Sequence, residues 1–231
     1  EPIVWIQTTW EGGRHPVKLA PYSKSMLDTY RNNVVSCLIL SSSTAKGAYS
    51  VEPGNTMLYG LAPLPYATGL LPLLLDDEIH LEYLPPVKEA EKMSFSERNK
   101  LGFKLGLKKG IDFFFAVGSV TYYISSSFAK MSGGGSKKGI KNVFQYSPAL
   151  IARYISGKKK AAREGRSIAP KDVFRLRGFM CAGTDNRCYK DDLEKLWGIR
   201  PVEVFAGTEP GCLGCETWAR NGLYFFPDSC F

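Results

Sequence analysis

The 231-residue chain is 44% hydrophobic and 13% aromatic, enough to bury a substantial core, and its 23% charged residues, 23 glycines and 14 prolines exclude collagen-like, coiled-coil and disordered chains. No apolar run approaches the roughly 18 residues of a membrane span, the longest, Gly69 to Leu75, being broken by Pro72. The formal charge of +8 raises nucleic acid as a partner, and the absence of a basic-then-apolar leader points to a soluble, cytoplasmic protein, expected to be part of a longer chain.

Ile3 to Ile6 reads as a short strand and Thr8 to Pro16 as a polar, glycine-containing loop. A helix is expected from about Lys24 to Leu40, where Met26, Leu27, Tyr30, Val34 and Leu38 recur at helical spacing behind a serine placed to cap it. Thr56 to Leu61 reads as a strand, broken at its carboxyl end by Pro63, Leu64, Pro65, Tyr66 and Gly69. Ser94 and Glu97 have the spacing of a capping box, so a helix runs from there to about Lys108. Ile111 to Val117 is a continuous apolar and aromatic run between Gly110 and Gly118, the mark of a buried strand, with another helix after it. Phe174 to Cys181 as strand, Lys190 to Trp197 as helix closed by Gly198, and Pro201 to Phe205 as strand make a unit of about 32 residues, the length of a βαβ crossover. This alternation predicts an α/β fold with mainly parallel sheets flanked by helices. Ligands of such sheets gather outside the carboxyl ends of the strands, which singles out Gly183, Thr184, Asp185 and then Gly207, Thr208, Glu209.

Two basic clusters, Lys137, Lys138, Lys141 and Lys158, Lys159, Lys160, Arg163, Arg166, follow glycines, as a solvated loop or helix end would, and neither interleaves aromatics. No helix-turn-helix, RNA-recognition or zinc-finger pattern is present, so nucleic acid is a minor candidate. Six cysteines are too few for a disulfide scaffold. Cys212 and Cys215 form a C-x-x-C pair that reads either as half of a zinc site or as two small buried hydrophobes. Structural zinc takes four ligands, and His15 and His80, the only histidines, are expected at the surface.

The two candidate loops, in this order, resemble those of the adenylate-forming superfamily of acyl-CoA synthetases and acyl-amido synthetases. Phe205, Ala206, Gly207, Thr208 and Glu209 fill its aromatic, small, any residue, Thr, Glu signature. One βαβ unit earlier, Gly183, Thr184 and Asp185 resemble the loop whose backbone meets adenine. Phe113 to Ser125 resembles the strand and helix that line the acyl pocket, and Pro63 to Gly69 the proline-and-aromatic segment before it. Gln7 to Lys18 sits where the family's hydroxyl- and glycine-rich phosphate loop falls. Lys18 to Tyr22 resembles the Lys-x-x-Pro-Tyr of the auxin-responsive acyl-amido synthetases, which with the phenylacetate-CoA ligase-like proteins form the nearest branch.

The resemblance implies that Phe205 packs on the adenine or the acyl group, with Ala206 and Gly207 in the same nucleotide-binding loop. It implies that Thr208 contacts the α-phosphate, Glu209 holds magnesium, and Thr8, Thr9, Gly12, Gly13 and Lys18 cradle the triphosphate. Tyr66, Val117, Gly118 and Tyr122 would line the acyl pocket. ATP and Mg2+ follow as cofactors, with coenzyme A as a further candidate, and a small carboxylic acid as substrate. In the implied reaction the acid attacks the α-phosphate of ATP, pyrophosphate leaves, and a thiol or amine then takes the acyl group. Residues 1–231 would be part of the large N-terminal domain, with the hinge and the small C-terminal lid outside this sequence. The phosphate run departs from the family's pattern at Trp10, which is bulky, and at Glu11, whose charge opposes phosphate. A non-catalytic ATP- or acyl-binding domain of the same fold therefore stays open, as does a basic module for nucleic acid or an acidic partner.

Overall fold

The computed structural model describes residues 1–8, 17–76, 78–133, 147–183 and 186–227. β1 (Pro2–Gln7) and β2 (Leu19–Ser23) form an antiparallel hairpin. Ser23 then caps α1 (Lys24–Ser42), its hydroxyl accepting from the Met26 amide at 3.3 Å. β3 (Thr56–Tyr59) is buried throughout, and a 3-10 turn at Ala67–Leu70 leads into α2 (Leu71–Asp76). After β4 (Glu82–Leu84) and α3 (Val87–Ala90), the Ser94–Glu97 capping box opens α4 (Phe95–Lys109), the Ser94 amide donating to the Glu97 carboxylate at 3.0 Å. β5 (Phe113–Val117) passes directly into α5 (Gly118–Gly133), and α6 (Pro148–Arg163) precedes β6 (Gly178–Ala182). The chain closes with α7 (Asn186–Trp197), β7 (Val202–Gly207), β8 (Gly211–Glu216) and β9 (Leu223–Phe225).

Seven strands make one sheet in the order β4-β3-β5-β6-β7-β8-β9. The first five are parallel, and β8 and β9 extend the edge antiparallel. Alternate residues of the strands feed two cores. Met57, Tyr59, Phe113, Phe115, Met180 and Val204 pack with α1 and α2 on one face. Leu58, Phe114, Ala116, Phe179 and Cys181 pack with α4, α5, α6 and α7 on the other. The second core is aromatic: the Trp197 ring lies 5.3–6.4 Å from those of Phe103, Phe114, Phe174 and Phe179, and its indole N–H donates to the Ser125 hydroxyl at 2.7 Å. The expected α/β architecture, a mainly parallel sheet between helices, is what the chain adopts. The direction in which strands are added to the sheet reverses between β3 and β5, because β4 lies on one side of β3 and all later strands on the other. Among the described residues no helix is long and apolar enough to cross a membrane.

Several boundaries differ from the sequence expectation. β6 starts at Gly178 rather than Phe174, because Phe174 turns inward to meet Phe103 and Phe128 instead of joining the sheet. α7 starts at Asn186, one turn before Lys190. Lys158, Lys159, Lys160 and Arg163 fall in the last turns of α6, whereas Lys137, Lys138 and Lys141 lie outside the described residues.

Candidate functional site

Interior parallel strands are normally covered on both faces. β7, the fifth of seven strands, keeps this rule only for its first half: Val202 and Val204 are buried, but Phe205, Ala206 and Gly207 are exposed, Phe205 to 46%. Beside it β6 runs out at Gly183, also exposed and at φ 116°, and β5 ends at Val117, 40% exposed. Three neighbouring strands thus open at one carboxyl edge. The amino termini of α5 and α7 start at that edge and turn their positive dipole ends toward it.

The N-terminal hairpin is tied into this edge at two points. Along one side the Gln7 amide donates to the Pro65 carbonyl at 2.9 Å, and Gln7 pairs with Tyr66 as a short parallel bridge. On the other, the Tyr22 hydroxyl donates to the Thr208 carbonyl. Tyr22 is fully buried, and burial first, then the nearby charge of Glu209, pushes its phenol up to about 12. Across the mouth of the hairpin the Thr8 amide donates to the Lys18 carbonyl at 2.9 Å. The Pro63–Gly69 segment folds tightly on itself: a Cβ at Gly69 would sit 2.1 Å from the Leu64 nitrogen, so only glycine fits.

Thr208 is half-buried, Glu209 and Lys18 are exposed, and Thr8 is buried. Tyr66 is half-buried on the loop that holds the hairpin. Phe205 meets Phe225 of β9 edge-on at 5.7 Å. Gly118 is buried against the start of α7, where an added Cβ would lie 2.4 Å from Asn186 Oδ1, and Tyr122 stacks on Tyr189 of α7 at 5.2 Å. These two residues therefore fix the seam between α5 and α7, while Val117 reaches the open edge. Thr9, Gly12, Gly13, Thr184 and Asp185 lie outside the described residues.

Beneath the Thr208–Glu209 loop lies support that sequence patterns did not single out. Tyr30 and Asn33, one turn apart on α1, reach the Ala67 carbonyl at 3.4 Å and the Cys212 carbonyl at 2.7 Å. Helical spacing marked Tyr30 as core, but nothing in the sequence names these acceptors. Cys212 and Cys215 belong to the same core together with Cys37, whose sulfur is 3.5 Å from that of Cys212. Burial, then hydrogen bonding with the other two thiols, pushes the Cys37 thiol well up. Among the described residues no three His, Cys, Asp or Glu side chains are arranged to hold a metal ion. Glu209 and the Thr208 hydroxyl are nonetheless hard oxygen donors, the kind that suits Mg2+ when phosphates and water complete its shell.

Neither a protein-family model nor a curated protein matches the chain. Solved structures do. The AtGH3.15 acyl acid amido synthetase in complex with 2,4-DB matches with TM-score 0.56 and 12% identity over 99% of this chain and 44% of that one. ATP-bound MatB from Rhodopseudomonas palustris matches with TM-score 0.53 and 12% identity over 96% of this chain and 32% of that one. An open conformation of 2-hydroxyisobutyryl-CoA ligase, in complex with 2-HIB-AMP and CoA, matches with TM-score 0.52 and 10% identity over 96% of this chain and 41% of that one. The chain shares its α/β fold with part of each of these proteins and spans a third to under half of their length.

Proposed function

We propose that residues 1–231 form part of the ATP- and acid-binding domain of an adenylate-forming ligase, which activates a carboxylic acid on the α-phosphate of ATP and passes the acyl group to a thiol or amine. One observation carries most of the support. The hairpin that bears the phosphate-loop residues, the Pro63–Gly69 segment and the Thr208–Glu209 loop are remote in sequence, yet hydrogen bonds join them at one open carboxyl edge. Structures that share the fold hold ATP in one case and 2-HIB-AMP with CoA in another.

In this reading Thr8, Thr9, Gly12, Gly13 and Lys18 hold the terminal phosphates through amides, hydroxyls and one cation. Gly183, Thr184 and Asp185 meet the adenine edge, and Phe205 with Ala206 and Gly207 packs against it or the acyl group. The Thr208 hydroxyl donates to an α-phosphate oxygen, and Tyr22 fixes that loop from below. Glu209 and Thr208 would hold Mg2+, whose charge, when bound, neutralises the phosphates. Tyr66 and Val117 face the acyl side, with Gly118 and Tyr122 setting its wall. As the acid's oxygen bonds to the α-phosphorus, the bond from phosphorus to the pyrophosphate oxygen breaks. The chain's share of this work is orientation and charge stabilisation.

Calorimetric titration of MgATP into the chain and into Glu209→Ala tests the assignment. Saturable binding that weakens by about tenfold in the variant is expected, the size of a lost charge-assisted contact. Equal binding by both proteins, or none of ATP or of an acyl-adenylate analogue by folded chain, overturns it. Trp10 and Glu11 favour a second reading, a binding domain of this fold without turnover. MgATP binding with no acid-dependent release of pyrophosphate would select that one.

A further inference from the structure

A groove of about 600 Å3 opens at the far side of the sheet, beside the amino ends of β6 and β7, with Arg153, Lys160, Lys171, Asp172, Arg175 and Trp197 along its walls. It is built by a close approach of α6 to the 3-10 turn Pro170–Asp172. A Cβ at Gly157 would lie 2.7 Å from that of Asp172, so glycine at this position lets helix and turn meet.

The charge of the groove is unbalanced. Asp172 is its one carboxylate, and it is already spent: Arg166 donates to both its oxygens at 2.7 and 2.8 Å, and the Ala169 amide donates at 2.8 Å. Among the described residues no carboxylate lies within ion-pair distance of Arg153, Lys160, Lys171 or Arg175. Arg175 is also held in place, its guanidinium donating to the Lys171 and Phe174 carbonyls at 2.5 and 3.2 Å. Four cations from two segments of the chain, α6 and residues 171–175, therefore line one concavity whose single carboxylate is shared with Arg166, and like charges gathered this way repel unless an anion joins them.

We propose that this groove binds a compact anion carrying clustered phosphates, at the end of the sheet remote from the candidate nucleotide site. A concavity of this size matches a small ligand. A single-stranded nucleic acid would need exposed aromatic faces on which bases stack. The only aromatic here, Trp197, is 3% exposed and packed among phenylalanines. The proposal is independent of the adenylate-forming assignment.

Titration of inorganic tripolyphosphate into the chain and two charge-matched variants tests it. Lys160→Glu with Lys171→Glu alters the groove, and Lys158→Glu with Lys159→Glu makes the same charge change on exposed positions of the same helix outside it. The expected result is saturable binding to the unmodified chain, weakened at least about tenfold by the groove pair and much less by the control pair. The single exposed substitution Arg153→Glu must weaken binding in the same direction, which keeps the test decisive if the groove pair fails to fold. Equal weakening by both pairs would make the effect one of net charge. No weakening by the groove changes would place the anion elsewhere, the carboxyl edge included. Absence of binding, or tighter binding of a single-stranded oligonucleotide than of tripolyphosphate through the same residues, overturns the proposal as well.

Discussion

Tyr22 shows how one side chain serves the candidate site without touching a ligand. Its ring is buried in the core below the edge, and its hydroxyl holds the backbone of Thr208, the residue between the exposed end of β7 and Glu209. Tyr22→Phe keeps the ring and strands the carbonyl. The expected cost is about 1 kcal/mol, a fall in melting temperature of about 2–4 °C for a domain of this size, with weaker MgATP binding. The phenol also gives a pH signature. Its ordinary value is 10.0 and folding raises it to about 12, so the folded state favours the neutral form. Its contribution is complete below pH 10 and is lost as pH rises from 10 to about 12. Tyr83, also pushed up mainly by burial, titrates alike in both proteins, whereas Tyr30, pushed up first by burial and then by its neighbour Tyr22, changes in the same sense and adds to the difference. The difference between the stability curves of the chain and Tyr22→Phe, measured by urea unfolding across that range, should therefore shrink as pH climbs. A constant difference would mean that Tyr22 does not titrate with folding. The sequence marked Tyr22 as the end of a short motif, and Thr208 and Glu209 by their place after a strand. That the first holds the second depends on a contact between residues 186 positions apart, which no local pattern encodes.

At the scale of elements, α7 is pinned to the sheet by buried charge. Lys190 reaches Glu216 of β8 at 2.5 Å and Glu203 of β7 at 3.5 Å, and the Glu203 amide donates to the same Glu216 oxygen at 2.9 Å. Lys190 and Glu216 are each almost fully buried. Removing one partner of such a pair leaves a charge without compensation, so Lys190→Met should cost about 3–5 kcal/mol, and adding Glu216→Met should restore most of the loss. Urea unfolding of the two variants measures both. A single variant as stable as the parent would show that the pair adds nothing.

Other elements were legible to different degrees. β5 and the capped start of α4 stand out because an apolar run between glycines and a Ser-x-x-Glu box are local signals. β4 has three residues, too few for any period, and β8 carries Gly211 and Gly214, which depress strand propensity. β2 holds Pro21, which reads as a break until the hairpin supplies the partner strand. Phe174 looks like strand because it is apolar, and only the aromatic cluster around Trp197 shows why it leaves the sheet.

The whole molecule has two ends with different chemistry. Strand alternation conveys a parallel sheet but not its order, since neighbours are chosen by the crossovers. That order sets the reversal between β3 and β5 and brings the polar strand ends to one edge. The opposite edge carries the unpaired cations of the groove. Hydrogen exchange can read the two ends separately, provided that fast-exchanging amides are followed. Any ligand that binds the folded state slows the slowest core amides everywhere, by raising global stability, whereas surface amides respond only where the ligand sits. MgATP should slow fast exchange in segments 59–70, 117–122 and 205–211 and leave 166–175 unchanged. Tripolyphosphate should do the reverse. If either ligand protects both sets to the same degree, the assignment of nucleotide to one edge and anion to the other fails, because two binding sites at opposite ends of one sheet cannot give a single local footprint.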